Sequence, residues 1–306
     1  MQLTGIMSEK IVFSILHYQA FDMTVKCVEY LKKIINSNHY IVIVDNASPN
    51  DSGNFLEKKY ATDNNIFIIR NKYNAGFAKG NNLGYIFAKE KLKADCIIVI
   101  NNDVLIKQAN FLSELKTELN NDVHIIAPDI ITPLGEHQNP LRLRKISTKK
   151  IVQDLIYNLF MTAITLIPLL NKLVTKFLIG RRTLKIKDKV DSNIVLGPIQ
   201  YIVPHGAAII YTRKYIERED FAFLPITFLF AEEDILYEYI RQNNYKTYFS
   251  PVLQVEHLHD ASIDEITSGE VAKKHFMSKC KYKSLIQLLR VRLFGNFRKS
   301  DTVIIC

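Results

Sequence analysis

Four short apolar runs punctuate the first third of the chain: "IVFSIL" at 11–16, "YIVIVD" at 40–45, "IFIIR" at 66–70 and "CIIVIN" at 96–101. Each is rich in β-branched residues and bounded by polar or turn-forming ones, which predicts buried strands. Between the runs the period changes. Val25, Val28, Leu31 and Ile34 recur at helical spacing and mark one face of a helix. Further helices are predicted from about Gly80 to Leu92 and from about Lys107 to Leu119. Strands alternating with helices imply βαβ units and an α/β fold with a mostly parallel sheet. In such sheets ligands bind beyond the carboxyl ends of the strands. Asp45 and Asp103 both stand at such an end.

The alternation breaks at residues 141–190. "LIYNLFMTAITLIPLL" (155–170) is uncharged over 16 residues, fewer than the roughly 20 a crossing helix needs. Asn158, Thr162, Thr165 and Pro168 interrupt it, and Lys/Arg clusters flank it on both sides. An interfacial helix or helical hairpin fits this pattern; a helical subdomain packed on the core is the competing reading. After residue 190 the α/β pattern returns. "YIVPHGAAIIYTR" (201–213) reads as strand, turn, strand. "AEEDILYEYIRQNN" (231–244) reads as a helix with a strongly acidic first turn, where carboxylates also compensate the helix dipole. "YFSPVLQVEHLHDAS" (248–262) reads as a strand running into a His-rich loop. The chain thus divides into residues 1–140, an insertion at 141–190, a second α/β part at 191–265 and a basic amphipathic segment at 266–306.

Charge sharpens this division. The net charge of +9 is unevenly placed: residues 141–190 carry 12 Lys/Arg and 2 Asp, and residues 271–300 carry 9 Lys/Arg and no acid. Everything outside those blocks is therefore net acidic. Two basic blocks beside an acidic remainder point to local attachment at an anionic membrane surface, not to nucleic acid. The four cysteines (Cys27, Cys96, Cys280, Cys306) are far apart and form no metal or redox spacing, which fits a reducing cytosol. The N-terminal "MQLTGIMSEK" has no apolar core of a signal peptide. The expected location is cytoplasmic, peripheral on the inner face of the cell membrane.

In "NKYNAGFAKGNNLG" (71–84), Gly76, Gly80 and Gly84 follow a strand and lead into a helix. Small residues let backbone approach a ligand, and a helix N-terminus offers free N–H groups to an anion. The spacing is neither a dinucleotide fingerprint nor a P-loop. The series "VDNASPNDS", "NAGFAKGNNLG", "INND", "HGAAIIYTR", "FAEEDILYEYIRQNNY" and "VEHLHDAS", in that order, resembles family 2 glycosyltransferases of GT-A fold, especially the bacterial rhamnosyltransferase-like members. The resemblance covers roughly residues 10–130 and 195–262. It implies a Rossmann-like, mostly parallel sheet with helices on both faces. The membrane-associating insertion and the C-terminal basic helices lie outside it. The 1–140 part would be the nucleotide-sugar-binding half and 191–265 the acceptor and catalytic half.

The same resemblance implies residue roles. Asp45 would hold the nucleobase or ribose of the donor, and Asn74, Gly76 and Asn81 would shape the nucleotide pocket. Asn101 and Asp103 occupy the Asp-x-Asp positions, so Asn101, with Asn102 beside it, would face the donor and Asp103 would bind a divalent metal. Asn101 departs from the two-Asp form and leaves a single carboxylate for the metal there. Glu232-Glu233 occupy the Glu-Asp position. Glu233 is the expected base, with Glu232 and Asp234 as the alternatives. His257 matches a late metal-ligand histidine, while His259 falls where Gly is common.

Elementary chemistry fits these roles. A nucleoside diphosphate leaves only if its developing charge is neutralised, which Mg2+ or Mn2+ does. A sugar hydroxyl attacks only if a carboxylate takes its proton. The resulting expectation is an inverting, metal-dependent glycosyltransferase. It would move a sugar from a nucleotide-diphosphate donor, dTDP-rhamnose or a UDP-sugar, to a lipid-linked glycan acceptor in bacterial surface polysaccharide (capsule or O-antigen) synthesis. The rivals are an inactive nucleotide-sugar-binding partner subunit and a nucleotidyltransferase. The latter carries a Gly-rich loop after the first strand, where "SILHYQAFD" has no Gly.

Overall fold

The structure, a computed structural model, describes residues 9–167, 202–258 and 270–295. The expectations for 168–201, for His259 and the rest of 259–269, and for 296–306 with Cys306 lie outside the described residues. Among the described residues eight strands form one sheet: β1 (Ile11–His17), β2 (Tyr40–Asp45), β3 (Ile66–Arg70), β4 (Cys96–Asn101), β5 (Val104–Leu105), β6 (Ile125–Ile131), β7 (Ala208–Tyr211) and β8 (Thr247–His257). Their order is β3-β2-β1-β4-β7-β6-β8-β5. The described helices are α1 (Phe21–Lys32), α2 (Ser52–Lys59), α3 (Gly76–Glu90), α4 (Phe111–Glu118), α5 (Thr148–Ile164), α6 (Arg213–Ile216), α7 (Glu232–Gln242) and α8 (Glu270–Phe294).

β3, β2, β1 and β4 are parallel, as the alternation requires. Beyond β4 the sheet is mixed. β7 runs antiparallel to both β4 and β6, β6 and β8 are parallel, and β5 is antiparallel to β8. The unbroken parallel run is therefore β3-β2-β1-β4, and the sheet becomes mixed at β7, which is antiparallel to both of its neighbours. Both α/β parts contribute to this one sheet. The expected strand-turn-strand at 201–213 is a single strand, β7; Val203 makes only an isolated bridge to Arg142.

Side-chain alternation builds two cores. Phe13, Ile15, Ile43 and Ile98 face α1, α2 and α4. Val12, Val42 and Val99 face α3, α7 and α8. Coverage on both faces is why the central strands read as unbroken apolar runs. β3 is the exception: it is an edge strand, and only Ile66 is buried. α3 begins at Gly76, four residues before the expected start, and carries Gly80 and Gly84 inside the helix. Gly84 is there for closeness: a Cβ on it would lie 2.1 Å from Ser14 Oγ of β1.

α5 and α8 pack against each other. Arg292 Nη1 donates to Ile146 O at 2.7 Å at one end, and Thr165 Oγ1 meets His275 Nδ1 at 2.9 Å at the other, so the pair is antiparallel. α8 is one helix, where several were expected. It is anchored through buried Leu288 and Val291 and through Arg292, which forms an ion pair with fully buried Glu238. Part of the basic block is thus neutralised inside the fold. Along α5, Val152, Ile156, Leu159 and Phe160 remain exposed. No helix among the described residues is long and apolar enough to cross a membrane.

Candidate active site

Register sets the site. His17 pairs with Asp45 across β1 and β2, and Leu16 with Asn101 across β1 and β4, so three strands end level. Beyond those ends lies a cavity of about 120 Å³ lined by Tyr18, Asn46, Asn74, Asn101, Asn102 and Phe228, among others. Its floor is a network of short amide side chains. Asn46 donates through Nδ2 to Asn74 Oδ1 (3.0 Å) and Gly76 O (3.2 Å), while its Oδ1 accepts from Asn71 Nδ2 (3.1 Å) and Ala75 N (3.0 Å). Asn74 Oδ1 also accepts from Gly76 N at 2.9 Å. This network presents the start of α3 to the cavity.

Gly76 has φ +80°, and a Cβ there would lie 2.2 Å from Phe228 O. The backbone of 226–229 closes over this point, with Phe77 N donating to Phe228 O at 2.7 Å. Phe230 and Ala231, which follow, both hold positive φ (73° and 64°). Two non-glycine residues in the left-handed region directly before an acidic helix are strain of the kind that collects at functional sites. Ser284 Oγ of α8, donating to Leu229 O at 2.8 Å, helps hold it.

Asp103 and His257 come together through the β5–β8 pairing, 3.3 Å apart from Oδ2 to Nε2. Both are nearly buried, and His257 Nδ1 contacts Gln138 Oε1 at 2.8 Å. Asp103 Oδ1 is buried without a hydrogen-bond partner. An orphaned carboxylate oxygen beside an imidazole nitrogen fits a divalent cation, which takes oxygen and nitrogen donors and would satisfy the orphan. These two residues would hold it. Among the described residues no group of three His, Cys, Asp or Glu side chains converges on a metal position.

The three acids at the start of α7 separate by environment. Asp234 is ion-paired with Arg142 and buried; burial raises its pKa and the guanidinium opposes that rise. Glu232 is 5% exposed and accepts from Thr227 Oγ1 at 3.0 Å. Burial, then the neighbouring Glu233 charge, push its carboxyl up to about 8, so it is largely protonated at neutral pH. Glu233 is half-buried and accepts from Gly206 N at 3.3 Å; burial raises its pKa. Next to Gly206, the His205 ring stacks edge-on against His257, with centroids 5.6 Å apart. Glu233 is therefore the carboxylate tethered one residue from a side chain that touches the Asp103–His257 pair.

Other expected residues take quieter places. Asp45 is fully buried; Oδ2 pairs with Arg70 Nε at 2.8 Å and Oδ1 accepts from Ser48 N at 3.1 Å, and it does not line the cavity. Asn81 lies one turn into α3, donating to Phe77 O at 3.0 Å, also away from the cavity lining. Asn102 donates to Thr24 Oγ1 at 3.0 Å. His17, unremarked in the sequence, is bonded at both ring nitrogens, to Thr24 Oγ1 (2.7 Å) and Ser52 Oγ (2.8 Å). Burial lowers its pKa to about 4, so it ties β1 to α1 and α2 as a neutral ring. Asn46 was also missed. Its position directly after a strand-terminal Asp was the available signal.

Comparison with known proteins places this geometry. The sequence model described as glycosyl transferase family 2 matches residues 14–179. Over 102 residues the chain is 28% identical to glycosyltransferase GlyG of Streptococcus pneumoniae serotype 4 (strain ATCC BAA-334 / TIGR4). That match spans 33% of this chain and only 33% of the relative. The structure is similar to S. aureus TarS 1–349 in complex with UDP-GlcNAc, with TM-score 0.57 and 10% identity, covering 95% of this chain and 69% of that one. It is also similar to the mannosyltransferase PcManGT from Pyrobaculum calidifontis in complex with GDP-Man and Mn2+, with TM-score 0.51 and 10% identity over 95% and 77% of the two chains. At such identities these structures speak for the fold, which is GT-A-like. The family match extends over more than half of the chain, and the protein belongs to glycosyl transferase family 2.

Proposed function

We propose that this protein is an inverting, metal-dependent glycosyltransferase that moves a sugar from a nucleotide-diphosphate donor to a lipid-linked glycan in surface polysaccharide synthesis. The observation that carries this reading is the buried Asp103–His257 pair with its unpartnered Asp103 Oδ1, set one residue from the donor cavity's Asn102. A divalent cation bound there would neutralise the charge that develops on the departing diphosphate. Asn74, Asn101 and Asn102 supply neutral donors and acceptors that suit a nucleoside. Glu233 serves as the base: its raised pKa brings a carboxylate closer to the range where proton transfer from a sugar hydroxyl is effective. The Gly206 N–H holds its Oε1, and the Arg142 ion pair withdraws Asp234 from the role. Glu232, largely protonated at neutral pH, is the weaker alternative.

The solved neighbours carry a UDP-sugar and a GDP-sugar, which favours a nucleotide-diphosphate sugar here; dTDP-rhamnose and UDP-sugars are the first donors to try. The exposed stripe of Val152, Ile156, Leu159 and Phe160 on α5, flanked by cations, supports peripheral attachment at the inner membrane face, where a lipid-linked acceptor would lie. The test is a donor screen: incubate the protein with Mn2+ or Mg2+ and a panel of dTDP-, UDP- and GDP-sugars, and measure nucleoside diphosphate release. Metal-dependent release from one donor class is expected. No release from any donor, with or without a lipid acceptor, would leave the reading without its reaction.

A further inference from the structure

A second cavity, of about 720 Å³, lies between α8 and the 226–228 backbone. One face of α8 forms its wall. Phe276, Lys279, Lys283, Gln287 and Arg290 recur at helical spacing, and all five line it. The cations of α8 are not equivalent. Arg292 is bound to Glu238, and Lys281 lies over the Phe230 ring at 4.9 Å. Lys279, Lys283 and Arg290 are exposed on the cavity wall and pair with no carboxylate among the described residues. Like charges four residues apart, as at 279 and 283, destabilise a helix unless an anion lies between them. They stand about 6 Å apart along the axis, a span that two adjoining phosphates can bridge.

The cavity also borders the active site. Phe228 lines both cavities, and its ring meets Phe276 edge-on at 6.2 Å. Thr227 lines the second cavity while donating to Glu232 Oε1 at the start of α7. A molecule held on the α8 wall thus has the donor cavity on the far side of one aromatic residue and Glu232 behind Thr227. We propose that this second cavity is the acceptor subsite and that Lys279, Lys283 and Arg290 bind the phosphate or diphosphate of a phosphate-bearing acceptor, whose apolar part lies against Phe276 and Tyr282. The proposal rests on the glycosyltransferase reading, with the donor on the other side of Phe228. It locates the acceptor's charge where no metal is needed.

The test is calorimetric titration of the whole protein in chelator, so that no diphosphate can bind through a divalent ion. The probes are geranyl diphosphate, inorganic pyrophosphate and geraniol, with phosphatidylglycerol vesicles as a separate arm. The protein is compared with the combined variant Lys279→Gln, Lys283→Gln, Arg290→Gln. All three side chains are exposed, so the variant should unfold at the parent's temperature. We expect geranyl diphosphate to bind more tightly than pyrophosphate, geraniol to bind least, and the variant to lose about tenfold in affinity for both anions. Equal geranyl diphosphate affinity in parent and variant would overturn the proposal. Binding to vesicles with none to geranyl diphosphate would also overturn it and make the stripe a headgroup contact. Nucleotide titration with Mn2+ on the parent separates the two readings: a parent that binds nucleotide but not geranyl diphosphate removes only the acceptor subsite.

Discussion

Replacing Glu232 by Gln removes one ionisable group from the start of α7 and little else. The side chain is 5% exposed, and its Oε1 accepts from Thr227 Oγ1, a bond that an amide oxygen can keep. Burial and the adjacent Glu233 charge push the carboxyl from 4.5 up to about 8. The folded state therefore holds this proton more tightly than the unfolded chain. Below about pH 4.5 both states carry it, and the stabilising contribution of the protonated group is fully present. As pH rises to about 8 that contribution is lost at about 1.4 kcal/mol per pH unit, to a limit near 5 kcal/mol. Gln does not titrate. Glu232→Gln should match the parent near pH 5 and become progressively more stable relative to it by about pH 8 to 9. Urea unfolding followed by circular dichroism at about pH 5, 7 and 9 measures the difference. Parallel stability profiles for parent and variant would refute the buried, protonated Glu232.

Glu233→Gln should lower turnover by roughly 10²–10⁴-fold while nucleotide affinity changes little, measured by steady-state kinetics on the donor found in the screen; a larger loss from Glu232→Gln or Asp234→Asn would move the base. Gly76→Ala should destabilise the fold by at least about 1–2 kcal/mol, because φ +80° disfavours Ala, and should weaken nucleotide binding, because its Cβ meets Phe228 O. Arg292→Met should cost about 3 kcal/mol in chemical unfolding by leaving buried Glu238 with only the more distant Arg241, 3.6 Å away, and adding Glu238→Gln should restore much of it; an unchanged midpoint in Arg292→Met would show that α8 is not held by this pair.

The strands that frame the cleft were legible because β1, β2 and β4 are covered on both faces, so nearly every position is apolar. The same signal misled at β3, where Phe67, Ile68 and Ile69 look equally buried but stand at the sheet edge. Asp103 and His257 could be singled out locally, and their meeting follows from a β5–β8 register that no local pattern encodes. The Asp45–Arg70 pair was within reach: both residues end neighbouring parallel strands and pair in register. Arg292 with Glu238 and Arg142 with Asp234 were not, since each joins segments far apart in the chain. Counting those arginines as surface charge overstated what the basic blocks present outward. The left-handed Phe230 and Ala231 carry no sequence signature either, because such strain is imposed by the contacts around it.

The most direct measurement is a calorimetric titration of UDP and dTDP into the parent and Asp103→Asn, each with Mn2+ and with chelator. Asn keeps the size of the side chain and the fold, but it loses the charge that would hold a cation beside His257. We expect tight nucleotide binding only for the parent with Mn2+. The variant should bind weakly under both conditions, at the affinity the parent shows in chelator. Equal affinity in all four combinations would contradict a metal site at Asp103 and with it the proposed mechanism.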